Sequence, residues 1–326
     1  MTCPASIPSL SVVMPTRDEP ERLQAALRSL AAQSPTPPCA EVIVVDDGSA
    51  AYDPVSIRRA AGNLTLSSLR FERNQGRALA RNAGLRAARG ELVIFLDSDM
   101  TVAPDFLYRH AEAHRRDPGV VAIGNILFAP HVRRDALARH LESRGVHRLR
   151  PGEPVPFKCF VTGNSSVPRA LLERVGLFDE GFTSYGGEDL ELGYRLYRAG
   201  ARFAYVPEAL SWHHHARTLE EVCRLMRTYG RSSLPLLLGK HPELAPLLRL
   251  GFLAGGRLSP NRLFARAALA PVPFHLILRA AAAAPCLPWP GVLFDYLLWH
   301  ARTRGFMEAA AARHPGCPAT GRRYLW

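Results

Sequence analysis

Lysine is almost absent from this chain: 2 residues against 39 arginines in 326. Base composition of the gene explains that imbalance as well as function does, so no functional weight rests on it. The six cysteines (Cys3, Cys39, Cys159, Cys223, Cys286 and Cys317) are scattered and form no Cys-x-x-Cys pair. That excludes a zinc knuckle and offers no disulfide framework, and a reducing, cytoplasmic setting is expected. The first residues carry neither a basic stretch nor an apolar stretch of signal length, so no secretion signal is expected. Internal repeats with periods of 20 to 50 residues are missing, which removes solenoids and propellers. Long apolar runs are missing too. Residues 267–294 hold only Arg279 as a charge, but five prolines break them, and the longest charge-free stretch, Ala280–Phe294, has 15 residues. That is too short and too broken for a membrane-spanning helix. Helices packed on the rest of the protein, or lying in a membrane interface, are the two readings left open.

What is present is an ordinary globular composition, 47% hydrophobic and 21% charged, with a formal charge of +12. The charge is unevenly placed. Residues 217–326 contain 15 basic and 5 acidic residues, so the first 216 are nearly balanced. A basic segment suits nucleic acid, an anionic membrane surface or an acidic substrate. Few aromatics interleave with these arginines and no nucleic-acid motif is recognisable, so nucleic acid is set aside. The composition shift divides the chain into an expected catalytic domain, 1–216, and a basic, apolar helical region, 217–326.

Within the first part, short β-branched runs alternate with helical spacings. "LSVVMP" (10–15), "EVIVVDD" (41–47), "LRFE" (69–72), "ELVIFLD" (91–97), "GVVAIGNILF" (119–128) and "ARFAYVP" (201–207) read as strands. Residues 19–33, 77–90, 104–116, 135–144 and 190–200 read as helices, with strand, helix and loop over 162–182. Apolar runs of this length separated by helices imply an α/β fold, a mostly parallel sheet with both faces covered. Such sheets bind ligands beyond the carboxyl ends of their strands. Two strands end in acids, at Asp46-Asp47 and at Asp97-Ser98-Asp99. A D-x-D pair on that edge suits a hard divalent cation shared with phosphate, or simply a solvated turn. Asp46-Asp47 suits hydrogen bonds from a base or ribose. In "GGEDLE", Glu188 and Asp189 fall at the start of a helix, where the macrodipole favours ionised carboxylates. Glu191 reads as a first-turn helix residue, and the Gly186-Gly187 pair as either a hinge or a place where room is needed. In "SWHHH", His213 and His215 alternate and can share a face.

These motifs come in a fixed order: D-D-G-S, "ARNAG", D-S-D, G-G-E-D, then histidine. Together "SVVMPTRDE", "VIVVDDGS", "NQGRALARNAGLRAARGELVIFLDSDM", "TGNSSVPRALLERVGLFDEGF", "YGGEDLELGYRLYRAGARFAYVPEA" and "WHHH" resemble the family 2 glycosyltransferases of the GT-A fold, over about residues 10 to 215. The resemblance implies an inverting enzyme that moves a sugar from a nucleotide-diphosphate donor, usually UDP-linked, to a hydroxyl of a glycan or lipid-linked acceptor in cell-envelope or polysaccharide biosynthesis. It implies that Pro15, Thr16, Arg17 and Asp47 line the nucleoside, and that Asp97 faces the ribose or metal-bound water. Asp99 would bind Mn²⁺ or Mg²⁺ directly, with His213 as first choice for the histidine ligand and His215 as second. Asp189 matches the general base and Glu188 an acceptor ligand. The Q-x-x-R-W box of the processive synthases is missing, as is their membrane bundle, so one or a few transfers per acceptor are expected. The basic C-terminal third suggests peripheral contact with the inner face of the cell membrane. A nucleotidyltransferase is disfavoured because "MPTRDEPERL" has no glycine after the first strand. A non-catalytic scaffold is disfavoured because Asp99, Asp189 and a histidine are all present.

Overall fold

In the computed structural model the described residues are 8–34, 40–132, 134–150, 153–250 and 267–313. The residues up to Ile7, read above for a secretion signal, lie outside them. The chain forms two compact units. The first comprises Met1–Arg133, Glu142–Glu180 and Glu188–Ala216, and the second Arg134–Leu141, Gly181–Gly187 and Arg217–Trp326. The second unit thus draws two short segments out of the first 216 residues.

The first unit is built on one eight-stranded sheet. In chain order its strands are β1 (Leu10–Thr16), β2 (Ala40–Asp46), β3 (Thr65–Arg70), β4 (Leu92–Leu96), β5 (Met100–Val102), β6 (Val120–Phe128), β7 (Asn164–Pro168) and β8 (Arg202–His213). Across the sheet they run β3-β2-β1-β4-β7-β6-β8-β5. The first four are mutually parallel, β7 is antiparallel to both its neighbours, β6 and β8 are parallel, and β5 returns antiparallel on β8.

The apolar runs of β1, β2 and β4 are continuous because both faces of these strands are covered. Leu10, Val12 and Met14 of β1, with Val42, Val44, Leu92, Ile94 and Leu96, pack under helices α1 (Pro20–Ala31), α2 (Pro54–Ala61) and α4 (Phe106–Arg116). Val13, Ile43, Val45, Val93 and Phe95 point the other way, toward α3 (Arg77–Ala87), α6 (Arg169–Val175) and α7 (Glu188–Arg198). Period-two alternation sorts one apolar run into two cores, and each fully buried Val, Leu or Phe side chain contributes about 1.5–3 kcal/mol.

Some element limits differ from the sequence expectation. The third strand starts at Thr65, four residues before "LRFE"; it is an edge strand with largely exposed residues, so no apolar run marks it. The helix expected over 77–90 stops at Ala87, and Gly90 lies where a Cβ would come within 2.6 Å of the β1 backbone. The last strand continues six residues past Pro207, through the mixed stretch "EALSWH", across a register shift opposite Gly124/Asn125.

In the second unit, helix α8 (Leu219–Arg231) opens with a capping box in which Thr218 and Glu221 satisfy each other's backbone N–H. With α5 (Ala136–Glu142) up to Leu141, the helices Pro271–Ala283 and Gly291–Arg313 complete an apolar cluster around Leu137, Leu219, Cys223, Phe294 and Leu297. α9 (Ser233–Lys240) follows α8 directly. α8 and Gly291–Arg313 touch backbone to backbone. A Cβ on Gly230 would lie 1.9 Å from the Arg302 carbonyl, and one on Gly305 would lie 2.1 Å from that of Arg227. Among the described residues no helix is long and apolar enough to cross a membrane.

Candidate active site

Parallel pairing of β2, β1 and β4 brings their carboxyl ends to one edge, carrying Thr16, Asp46-Asp47 and Asp97. The "DDGS" turn is fixed internally. Asp46 is fully buried and accepts from the Ser49 N–H at 3.2 Å, from the Ser49 hydroxyl, and from Arg70 at 3.2 Å. Gly48 has φ +72, and a Cβ there would press within 2.4 Å of the Arg73 backbone, so only glycine fits. Asp47 turns toward the start of α3, accepting from the N–H groups of Gln75 (2.6 Å) and Gly76 (3.0 Å). Thr16 is buried, whereas Arg17 is half-exposed and pairs with Asp18 at 3.3 Å. Pro15 pairs with Val45 in the β1–β2 register.

Asp99 meets His213 because of strand pairing. β5 begins one residue after Asp99 and runs antiparallel to the end of β8, with Met100 opposite His213. The Asp99 carbonyl accepts from the His214 N–H at 3.2 Å. This puts Asp99 Oδ2 3.1 Å from His213 Nε2, with both side chains largely buried. Phe128 packs edge-on against the His213 ring. His214 turns elsewhere, bonding Thr101 Oγ1 at 2.7 Å and stacking on His131. His215 meets His213 through its backbone, its N–H pointing at Nδ1 at 3.2 Å.

Does this pair suit a divalent cation? Neighbouring ligands in an octahedral shell with bonds of about 2.1 Å lie about 3.0 Å apart, close to the Asp99–His213 separation. One carboxylate and one imidazole suit Mn²⁺ or Mg²⁺ when phosphate oxygens supply further positions. No group of three or more such side chains gathers at one point among the described residues, so a diphosphate would have to supply part of the shell. His213 Nδ1 accepts from the His215 N–H, so ligation through Nε2, which needs the ring proton on Nδ1, would give up that contact. The donor set fits.

A second, denser group gathers at the start of α7. Glu188 and Asp189 open α7. Asp189 accepts from the Thr162 hydroxyl at 2.9 Å and from its N–H at 3.4 Å. Between these acids and the sheet edge sits Arg81, 2% exposed. Its guanidinium reaches Asp97 Oδ1 at 3.0 Å, Glu188 Oε1 at 3.2 Å and Asp189 Oδ1 at 3.8 Å. Glu188 is as buried as Arg81, and its Oε2 has no hydrogen-bond partner among the described residues, nor has Arg81 Nε. Burial, then the Glu188 charge, push the Asp189 carboxyl up to about 6; Arg81 and the Thr162 hydroxyl pull the other way. An acid poised there is largely ionised at neutral pH and still a competent proton acceptor.

Glu191 lies in the first turn of α7, as expected, and is buried there. It is 3% exposed and grips Arg195, whose remaining donors hold the carbonyls of Val175, Gly176 and Leu177. Arg81 and Thr162 were the residues that sequence reasoning passed over. The signal for Arg81 was its helical spacing from Ala78 and Leu85, an arginine on the apolar face of α3.

Residues 11–176 match the model of "Glycosyl transferase family 2", and 145–218 that of the "N-terminal domain of galactosyltransferase". The chain belongs to glycosyl transferase family 2. It is 32% identical over 274 residues to the validoxylamine A glucosyltransferase of Streptomyces hygroscopicus subsp. limoneus, covering 74% of this chain and 59% of that one. Among solved structures it resembles the mannosyltransferase PcManGT from Pyrobaculum calidifontis in complex with GDP-Man and Mn²⁺, with TM-score 0.59 and 24% identity over 92% of this chain and 88% of that one. It also resembles S. aureus TarS 1–349 in complex with UDP-GlcNAc, with TM-score 0.55 and 18% identity over 94% of this chain and 91% of that one. These likenesses carry the fold, a GT-A α/β sheet with C-terminal helices. The chain spans 52 to 64% of the length of the curated relatives first matched.

Proposed function

We propose that this family 2 glycosyltransferase chain moves a sugar, with inversion, from a nucleotide-diphosphate donor to a hydroxyl group on a glycan or lipid-linked acceptor, with Asp189 as general base. The observation that carries the reading is Asp189 itself: a carboxylate held by Thr162 at a helix start, its pKa pushed to about 6, beside the strand ends. Inversion needs a base on the face opposite the leaving group, and such a base typically contributes roughly 10²–10⁴-fold. Asp189 takes the proton of the acceptor hydroxyl as that oxygen attacks the anomeric carbon. Thr162 aims the carboxylate, and Glu188 is assigned to the acceptor side; its Oε2, the oxygen not given to Arg81, is buried, so that role requires the acceptor to uncover it. Thr16, Pro15, Arg17 and Asp47 line the nucleoside, with Asp97 at the ribose. Asp99 and His213, with His215 adjoining, would hold Mn²⁺ or Mg²⁺, which when bound neutralises charge on the departing diphosphate.

UDP is the expected nucleotide. The two solved relatives differ, one carrying GDP-Man and the other UDP-GlcNAc, so the donor is a matter for experiment. We place the enzyme in the cytoplasm at the inner face of the membrane, in envelope or polysaccharide synthesis. Val272, Leu276, Leu287 and Val292 are all more than half exposed in the basic second unit, and apolar side chains with positive charge suit an anionic lipid surface.

A panel of UDP- and GDP-sugars, scored with Mn²⁺ for thermal stabilisation and nucleoside diphosphate release, tests the reading. One donor is expected to stabilise the protein and be turned over. Stabilisation without turnover across acceptors and donors favours a binding scaffold.

A further inference from the structure

The reading of Asp189 as base leaves Arg81 unexplained. A buried guanidinium is costly unless its charge is met. This one is met three times, by Asp97 from the end of β4 and by Glu188 and Asp189 from the start of α7. We propose that Arg81 is a positioning residue: its single guanidinium orders the donor-side Asp97 and the acceptor-side Glu188 around Asp189 and keeps Asp189 available as a base.

The charges around Asp189 support this. From its own helix Glu188 faces it and raises its proton affinity; from β4's end Asp97 does the same. Thr162 is uncharged and donates a hydrogen bond. From α3, Arg81 opposes both acids. Arg77, one turn earlier, is 44% exposed and lies 3.8 Å from Glu188; water screens it, and it cannot replace Arg81. Without Arg81 the buried Glu188 keeps a charge that no other buried cation offsets among the described residues. Asp189, beside that charge and no longer opposed by Arg81, then takes up a proton more readily. The packing of the guanidinium over the Phe178 ring, 5.7 Å from its centroid, fixes the fork from the side. Asn82, next in sequence, pins the same loop by exchanging hydrogen bonds with the Phe178 backbone.

The test compares Arg81→Met, Arg81→Lys and Glu188→Gln. Mn²⁺-dependent nucleoside diphosphate release is followed against pH with UDP-glucose, UDP-galactose, UDP-N-acetylglucosamine and GDP-mannose. Loss of one opposite charge at this distance moves a carboxyl by about one unit or more. Arg81→Met should therefore move the acidic limb of kcat/KM up by about one unit, Arg81→Lys should restore most of it, and Glu188→Gln should move it down. Thermal unfolding of the protein alone from pH 5 to 8 gives a second readout: Arg81→Met should lose Tm with rising pH more steeply than the wild type, and Arg81→Lys should follow the wild type. Should Arg81→Met not fold, Arg81→Lys and Glu188→Gln decide alone, by an unchanged limb and a lowered one. An unshifted limb in Arg81→Met, or a Glu188→Gln limb that stays or rises, overturns the role of Arg81. Near-wild-type release in Asp189→Asn would instead sink the base assignment on which the proposal rests.

Discussion

Two polar clusters are buried in the first unit, and they behave in opposite ways. Under α4, His110 and His114 meet β7. His110 bonds Ser166 at 2.8 Å and Asn164 at 2.9 Å, His114 bonds Ser166 at 2.9 Å, and the Asn164 amide donates to Asn125, Ala209 and Ser211. At the start of α7, three carboxylates share Arg81. Burial acts on both. It drives the histidines down, to about 4 and about 3, so they stay neutral. It drives Asp189 up to about 6, so it sits near its titration point. A neutral network can fix a core even with one ring nitrogen, His114 Nδ1, lacking a hydrogen-bond partner among the described residues, whereas a charged one trades protons and partners. The first cluster is therefore read as structural and the second as chemical.

Breaking each side should give different losses. The largest loss outside the carboxylate group is expected from Asp99→Ala, which removes half of the Asp99–His213 pair. Transfer should fall at least about 10²-fold, and calorimetry should find UDP binding no longer dependent on Mn²⁺; unchanged metal-dependent affinity would refute the assignment.

His110→Leu comes next, and its cost is in stability. It strips Asn164 Oδ1 of its partner and leaves Ser166 with His114 alone, at about 1–3 kcal/mol for the buried group left unpaired, while the acidic limb of the enzyme that remains folded should not move. The two clusters also have opposite linkage to pH. The histidines' folded pKa values lie below the ordinary 6.5, so their contribution is complete above pH 6.5 and is lost as pH falls toward 4 and 3. For Asp189, raised from 3.8 to about 6, stability is greatest below pH 3.8 and declines as pH rises through 6. Denaturant titrations from pH 4 to 8 should resolve the two slopes, with His114→Gln flattening only the acid side.

The smallest effect is expected for Thr162→Val. Losing one hydrogen bond to the ionised Asp189 should raise the acidic limb by about half a unit to one unit and lower kcat several-fold, since a hydrogen bond contributes about 0.5–1.5 kcal/mol net and the Thr162 N–H still donates to the same carboxylate.

The parts of this comparison differed in how legible they were. The strands β1, β2 and β4 announced themselves, because a strand covered on both faces must be apolar throughout. β3 and the far end of β8 did not; one is an exposed edge and the other crosses a register shift into a stretch of mixed polar and apolar residues. The D-S-D and E-D acids could be named from order alone, but the Asp99–His213 meeting depends on β5, three residues long, which no pattern marks. Arg81 is one of four arginines within "RALARNAGLRAARG", and only its helical phase separates it from Arg77, Arg86 and Arg89. The Gly-Gly pair has a plainer cause than a hinge. Gly186 and Gly187 have φ of +76 and +99, and a Cβ on Gly187 would lie 2.9 Å from the Phe182 ring and 3.2 Å from that of Tyr229. Left-handed backbone wedged between aromatic rings demands glycine.

Asp189→Asn tests the central claim most directly. With the donor that the panel identifies, nucleotide affinity should stay within about three-fold of wild type while turnover falls roughly 10²–10⁴-fold, and Tm should rise at pH 8 but not at pH 4, because a strained carboxylate has been removed. Turnover close to wild type, with Tm unchanged at both pH values, would contradict it.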